Sequence, residues 1–327
     1  MASPVLTRLD PLLVTEGGRL WLHGRDLPVA TAYEELCTIG GRPARTVFAS
    51  GERIAVEVPG GLDGGRTEVK APWLSGATMF VDVGARVATG IHQVDNPAID
   101  AAGRVYVTYS GSRGQEAPVS VFRVAPGGTR EAFVTGIVNV TSMAFDRLAR
   151  LHVSSRFDGS VYRIAEDGSH EIVASDLGLA CGLAFASDGA MLVGDRSGTI
   201  FHIDDKGRTR TLATLPASVA AFHLAISPDD ELFVTGPTLA TYDPLYRVSM
   251  DGRVETIGQT FGRPQGLAFD AAGNLHVVEA LAGSSGIYRL HAEGRTLVVA
   301  GVRLVGLAFG TGSQLVVATS DSVYSFG

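Results

Sequence analysis

From about residue 95 onward the chain repeats one pattern of apolar and polar positions. A run of three or four apolar residues is followed by a turn rich in Gly, Asp or Pro, and then by a stretch in which apolar and polar positions alternate. QGLAFDAAGNLHVVE from Gln265 shows it most plainly. DNPAIDAAGRVYVTY from Asp95, TSMAFDRLARLHVSS from Thr141, CGLAFASDGAMLVGD from Cys181, FHLAISPDDELFVTG from Phe222 and VGLAFGTGSQLVVAT from Val305 align with it without gaps. Two short apolar stretches joined by a tight turn predict an antiparallel strand pair. A third strand follows in every unit (SVFRV, SVYRI, TIFHI, PLYRV, GIYRL, SVYSF), and a short fourth follows another turn, as in HEIVAS or VETIG.

The units start 40 to 46 residues apart. Four antiparallel strands in about 40–45 residues make one blade of a β-propeller. The predicted fold is therefore all-β, with six blades over residues 84–327 that start near 95, 141, 181, 222, 265 and 305. The last unit stops at Gly327 after its third strand, and Ala85-Arg-Val-Ala-Thr-Gly has the pattern of the missing fourth. Residues 85–90 are thus expected to close the last blade and to cover an otherwise bare sheet edge.

Residues 1–83 lack this period. Stretches such as GGRLWLHGRDL, CTIGGRPARTVFAS and RIAVEVPGG alternate between glycine turns, and both tryptophans, Trp21 and Trp73, lie here. Short strands at regular spacing predict a small β-sandwich. Pro11, Gly17-Gly18, the strand Leu20 to Leu27, Gly40-Gly41 and Val58-Pro59 resemble the signature of the IPT/TIG immunoglobulin-like domain. The resemblance implies a spacer or an interaction module, and hence a protein contact through this part of the chain.

Composition supports a packed fold and removes some functions. Apolar residues make up 45% of the chain, enough for a core, and 41 glycines supply turns. The net charge is −7, Lys70 and Lys206 are the only lysines, and no basic cluster occurs, so no nucleic-acid partner is expected. The sequence has no apolar run of about 18 residues and no leader-like segment in MASPVLTRLDP, so no membrane contact and a cytoplasmic location are expected. Cys37 and Cys181 match no metal or redox spacing.

In a propeller the first strand of each blade lines the channel, and its start lies beside the end of the second. Residues before GLAF-like runs and after LxV-like runs therefore converge on one rim. The inner ring is Asp95/Asn96, Thr141/Ser142, Cys181, Phe222/His223, Gln265 and Val305; the second is Tyr109, Ser155, Asp195, Gly236, Glu279 and Thr319. Long loops leave this rim at 110–118, 236–244 and 280–286, and are expected to wall a pocket for a small-molecule ligand. His223, Glu279 and Asp195 are the candidate acid/base groups, although acids at a rim also cap backbone amides. Asn96, Tyr109, Arg113, Ser142, Ser155 and Gln265 are the candidate ligand contacts. Cys181 reads either as a nucleophile that His223 would activate or as a small channel-lining residue. His152 and His276, mid-strand in a column with Tyr106, Leu192 and Phe233, read as packing between blades.

RPQGLAFDAAGNLHVVE and CGLAFASDGAMLVGD resemble the six-bladed propellers of the NHL-repeat and senescence-marker/gluconolactonase superfamily. That resemblance implies lactone hydrolysis at a divalent cation, calcium or zinc, held on the channel axis by a Glu and by Asn, Asn and Asp of later blades. Carried over, the Glu position falls on Asp95, one Asn on Cys181, the other near Thr141/Ser142, and the Asp on Phe222 or Gln265. One carboxylate is kept, so the family's calcium site is altered, and a set using Asp95, Cys181 and His223 would suit zinc. Two principal readings follow: a lactonase-like hydrolase or lyase working in the channel mouth, and a propeller that binds a ligand or protein without catalysis. A scaffold without ligand is the third.

Overall fold

The computed structural model describes residues 3–29, 36–74 and 78–327. Positions 1–2, 30–35 and 75–77, all within the segment 1–83 expected to form a sandwich, lie outside the described residues. Every regular element described is a strand, and no helix is long and apolar enough to cross a membrane.

Five four-stranded antiparallel meanders stand as separate sheets. Unit 1 is Ala98–Ile99, Val105–Thr108, Val121–Val124 and Arg130–Val134. Units 2 to 4 repeat it from Val140–Phe145, Ala180–Phe185 and His223–Ile226. Unit 6 is Leu304–Phe309, Leu315–Thr319, Ser322–Phe326 and, as its outer strand, Ala85–Thr89. The outer strand runs antiparallel to the last, with Ser322 opposite Thr89 and Ser325 opposite Ala85. A unit that ends one strand short thus borrows the strand from the other side of the ring.

The expectation of six free-standing blades needs correction to five. The meander that starts at Pro264–Phe269 has the same order of strands, but its outer strand, Gly294–Ala300, does not end the sheet. Leu13–Val14 pairs parallel to Val299–Ala300 on one side and to Asp82–Val83 on the other, which fuses this meander to the N-terminal strands in one 12-stranded sheet. The N-terminal part is likewise not a free-standing immunoglobulin-like sandwich. Its strand Arg42–Ala49 divides its pairing, Arg42–Ala44 with Cys37–Ile39 and the remainder with Arg53–Glu57. The two halves of the sheet share one core, in which Leu20, Leu22, Ile54 and Val56 meet Ile39, Val69, Val81 and Val83.

Around the channel the first strands of successive units pack against one another, with Pro264–Phe269 between His223–Ile226 and Leu304–Phe309, and unit 1 against unit 6. At four of the six junctions a ring from the second strand is laid on the Phe of the next first strand. Tyr106 meets Phe145 at 5.5 Å, His152 meets Phe185 at 4.8 Å, Phe233 meets Phe269 at 5.3 Å and His276 meets Phe309 at 4.9 Å. These edge-on and tilted contacts add specific geometry to the apolar burial. The turn between first and second strands is set by an Asp whose carboxylate accepts two backbone N–H groups, as Asp100 does from Ala102 and Arg104 and Asp270 from Ala272 and Asn274.

Candidate active site in the axial channel

His223 opens the first strand of unit 4, and Asp95 immediately precedes that of unit 1, so ring closure brings together residues 128 apart in sequence. His223 Nδ1 lies 2.6 Å from Asp95 Oδ1. Both side chains are buried, His223 at 0% exposure and Asp95 at 2%. With the carboxylate ionised, Nδ1–H donates and fixes the tautomer, which leaves Nε2 with a lone pair. Nε2 has no hydrogen-bond partner among the described residues. The Asp95 backbone is held in turn by Gln93, whose Nε2 donates to Asp95 O at 2.8 Å while its Oε1 accepts the Thr108 N–H at 2.7 Å.

Asp95 is also part of the wall of a cavity of about 340 Å³ that follows the channel axis. First strands of all six units contribute to this wall. Asp95, Asn96 and Ser142 form its polar end and Phe145, Phe185, Phe269 and Phe309 its apolar end. The cavity therefore extends away from the long rim loops, and none of 110–118, 236–244 or 280–286 lines it. A larger groove of about 1160 Å³ lies between units 1 and 2. Its arginines are already ion-paired, Arg104 with Asp100, Arg123 with Glu131, Arg150 with Asp146 and Arg163 with Glu171, so it offers a ligand little uncommitted charge.

Asn96 lines the cavity while its amide is held by backbone groups of two other units. Its Nδ2 donates to Leu267 O at 2.8 Å and its Oδ1 accepts Leu307 N–H at 3.1 Å, tying unit 1 to unit 6 beside it and to unit 5 beyond. Glycine at 266 and 306 makes room for it. A Cβ at Gly266 would stand 2.1 Å from Asn96 Oδ1, and one at Gly306 would stand 2.6 Å from Asn96 Cα.

The other acids are engaged where they sit. Asp195 accepts the Leu179 N–H at 2.8 Å and the Ser197 hydroxyl, which makes it a cap on the turn that enters unit 3. Glu279 is 1% exposed, pairs with Arg295 at 2.6 Å and accepts Ser284 Oγ at 2.7 Å. Arg295 lies between the rings of Phe261 and Tyr288, at 4.6 and 4.5 Å. Neither carboxylate joins the Asp95–His223 pair. Ser155 donates to Val138 O at 2.7 Å, and Gln265 O accepts the Thr235 hydroxyl at 2.6 Å; both contacts join neighbouring segments of chain. Tyr109 packs edge-on to His92 at 6.2 Å, and Arg113 is exposed on the loop of unit 1. Ser142 alone of the expected ligand contacts joins Asp95 and Asn96 in the cavity wall.

Cys181 is 1% exposed, and burial pushes its thiol up to about 12. A thiolate is needed for either nucleophilic attack or zinc binding, so the buried thiol suits neither. Among the described residues no three His, Cys, Asp or Glu side chains converge as a metal site. Asp95, Cys181 and His223 thus do not form the donor set that calcium or zinc would require, and Asp95 Oδ1 is already committed to His223.

Three residues at the rim were passed over in the sequence. Asn139, in the left-handed region at φ 49°, clamps the unit 1 loop through Ser110 O (2.6 Å), Ser112 O (2.8 Å) and Gly114 N–H (2.6 Å). Arg156 and Arg196 each stand one residue beyond the second strand, in units 2 and 3. Their signal was present, since SSRF and GDRS place Arg in the same register of adjacent repeats.

No protein-family model matches this chain, and no curated protein does. Among solved structures it is similar to a gluconolactonase from Xanthomonas campestris, with 15% identity and a TM-score of 0.61 over 92% of this chain and 99% of the other. The fold is a β-propeller. The chain is similar, too, to a catalytically inactive virginiamycin B lyase from Staphylococcus aureus with quinupristin, at 13% identity and a TM-score of 0.53, over 98% of this chain and 97% of that one. An auxiliary nutrient binding protein from Bacteroides thetaiotaomicron matches at 12% identity and a TM-score of 0.56, over 99% and 98%. At such identities the likeness is one of fold.

Proposed function

We propose that this chain is a hydrolase of lactone-like small molecules that works in the axial channel, with Asp95 as the base and His223 as the residue that positions it. The observation that carries the reading is the buried Asp95–His223 hydrogen bond at 2.6 Å, with an unpartnered Nε2 on one side and a cavity at the carboxylate on the other. A buried polar atom left unpaired costs about 1–3 kcal/mol. A pair retained only for packing would gain by losing that nitrogen.

The chemistry needs one water and no other reactant. Asp95, held at Oδ1, accepts a proton from the water through its other oxygen as the water oxygen bonds to the lactone carbonyl carbon. When the tetrahedral carbon reforms its carbonyl, the ring C–O bond breaks and the departing alkoxide takes that proton. The product is the open hydroxy acid, and Asp95 and His223 are returned unchanged. No step passes through a metal, in keeping with the poor donor set. The fold shared with a gluconolactonase and a lyase supports a reaction of this class.

A second reading is a ligand-binding propeller. It is favoured by the commitment of Asp195 and Glu279 to structural contacts and by the match along nearly all of both chains with an auxiliary nutrient binding protein. In it residues 1–83 make a protein contact and 84–327 hold the ligand.

A pH-indicator assay on a panel of five- and six-membered lactones separates the two. Turnover is expected from the unmodified protein after EDTA treatment, and its loss is expected in Asp95→Asn with an unchanged melting temperature. In His223→Gln kcat should fall and its pH profile shift. Absence of turnover across the panel would favour the binder, and full activity of Asp95→Asn would refute the assigned base.

A further inference from the structure

We infer that the channel mouth carries an anion subsite, made by Arg156 and Arg196, that selects lactones bearing a carboxylate. The inference rests on the hydrolase reading for the word lactone, but the subsite stands on its own geometry.

The two arginines are placed alike. Arg156 N–H donates to Asn139 O at 3.3 Å and Arg196 N–H to Leu179 O at 3.2 Å, the equivalent carbonyls of adjacent units. Most arginines on the blades are ion-paired, for example Arg123 with Glu131 and Arg247 with Glu255. Among the described residues neither Arg156 nor Arg196 has a carboxylate within ion-pair distance. Arg196 Nε donates to Ser218 O at 3.2 Å, which orients the guanidinium and leaves its two terminal amino groups. Arg156 Nε is fully buried without any partner. Unsatisfied buried donors beside an active channel are placed for a ligand.

Their register puts both on one rim, because the strand ends they follow, Ser155 and Asp195, lie opposite the first-strand starts Val140 and Ala180. The charges of both arginines act to lower the pKa of the Cys181 thiol in unit 3, and that of Arg156 acts likewise on the His92 imidazole beside Tyr109 of unit 1. In both cases burial is the larger effect, raising the thiol and lowering the imidazole. Asp95 and Asp195 act on the same thiol in the opposite sense, but neither is ion-paired to these arginines, since Asp95 is bound to His223 and Asp195 to Leu179 and Ser197. In a chain of net charge −7, two arginines on adjacent units of one rim, neither with a carboxylate within ion-pair distance, are a selective feature. Arg presents planar paired donors that match a carboxylate.

The test uses a matched pair, 5-oxotetrahydrofuran-2-carboxylate and its methyl ester, which share a ring and differ in charge. The acid should be preferred in kcat/KM by about tenfold or more, with the preference shrinking at high salt. In Arg156→Gln/Arg196→Gln the acid-to-ester ratio should collapse toward one, and Arg156→Lys should recover part of it. Calorimetry with the ring-opened product, 2-hydroxyglutarate, gives a readout independent of turnover, with succinate and inorganic phosphate as controls. If neither lactone is hydrolysed but 2-hydroxyglutarate binds in an Arg156-dependent manner, the subsite stands and the hydrolase reading falls. If both lactones are hydrolysed with a ratio that the substitutions leave unchanged, the subsite is overturned and the hydrolase reading stands. Phosphate binding as tight as 2-hydroxyglutarate binding would overturn the selection for carboxylate.

Discussion

Asn96→Ala removes a side chain that ties unit 1 to Pro264–Phe269 and Leu304–Phe309. Two hydrogen bonds go with it, 2.8 Å to Leu267 O and 3.1 Å from Leu307 N–H. Each contributes about 0.5–1.5 kcal/mol, and leaving a buried partner unpaired adds to that, so the cost is about 2–3 kcal/mol. For a chain of 327 residues the melting temperature should fall by roughly 3–5 °C. Asn96→Asp should cost at least as much, because it keeps the acceptor for Leu307 but turns a carboxylate oxygen toward the Leu267 carbonyl. Thermal unfolding by circular dichroism, with urea melts for the free energy, measures both. A melting temperature of Asn96→Ala within about 1 °C of the parent would refute the tie, and would return Asn96 to the role of ligand contact.

Further outcomes follow from the same contacts. His152 and His276 have lowered pKa values, chiefly through burial; the unfolded chain then binds more protons below pH 6.5, so stability should be complete above that pH and decline as pH falls through it. Urea melts at pH 7.5 and 5.0 test this, and a protein more stable at the lower pH would contradict it. Cys181, with its thiol at about 12, should resist a disulfide reagent at pH 8 in the folded protein and react once unfolded; rapid modification before unfolding would count against the burial. Arg295→Ala should destabilise by about 3 kcal/mol because Glu279 is left buried without its cation, whereas Arg295→Ala with Glu279→Gln should recover part of the loss. Equal stability of the single and double variants in urea melts would show that the ion pair is not the cause.

The propeller was legible because its cause is periodic. Each unit alone exposes an apolar face, and the same alternating strands recur until they surround a common axis, so a one-dimensional spacing reports a three-dimensional ring. The fusion at unit 5 was not legible for the opposite reason. It depends on Leu13–Val14, a two-residue strand with no pattern of its own, fitting between Val299–Ala300 and Asp82–Val83. Two residues carry too little alternation to announce a strand, and parallel pairing between segments nearly 290 residues apart leaves no local trace. The same gap explains why an autonomous N-terminal sandwich was expected where one continuous sheet is formed.

The site divides along the same line. Register shows which residues reach a rim, and it put Asp95 and His223 on the inner ring. It does not show which side chains are consumed by backbone groups, because partners such as Leu179 N–H, Leu267 O and Leu307 N–H are carried by every residue type. Asp195 and Asn96 therefore looked as available as Asp95. Arg156 and Arg196 were missed by the converse error, in which rings were read only at the last residue of each second strand. Continuing one residue further finds Arg in units 2 and 3, Ser in unit 1, Gly-Pro in unit 4 and Ala in unit 5. That asymmetry is the informative signal. A ring that served closure alone would be similar in every unit, whereas two cations on adjacent units, neither with a carboxylate within ion-pair distance among the described residues, give this rim a charged side.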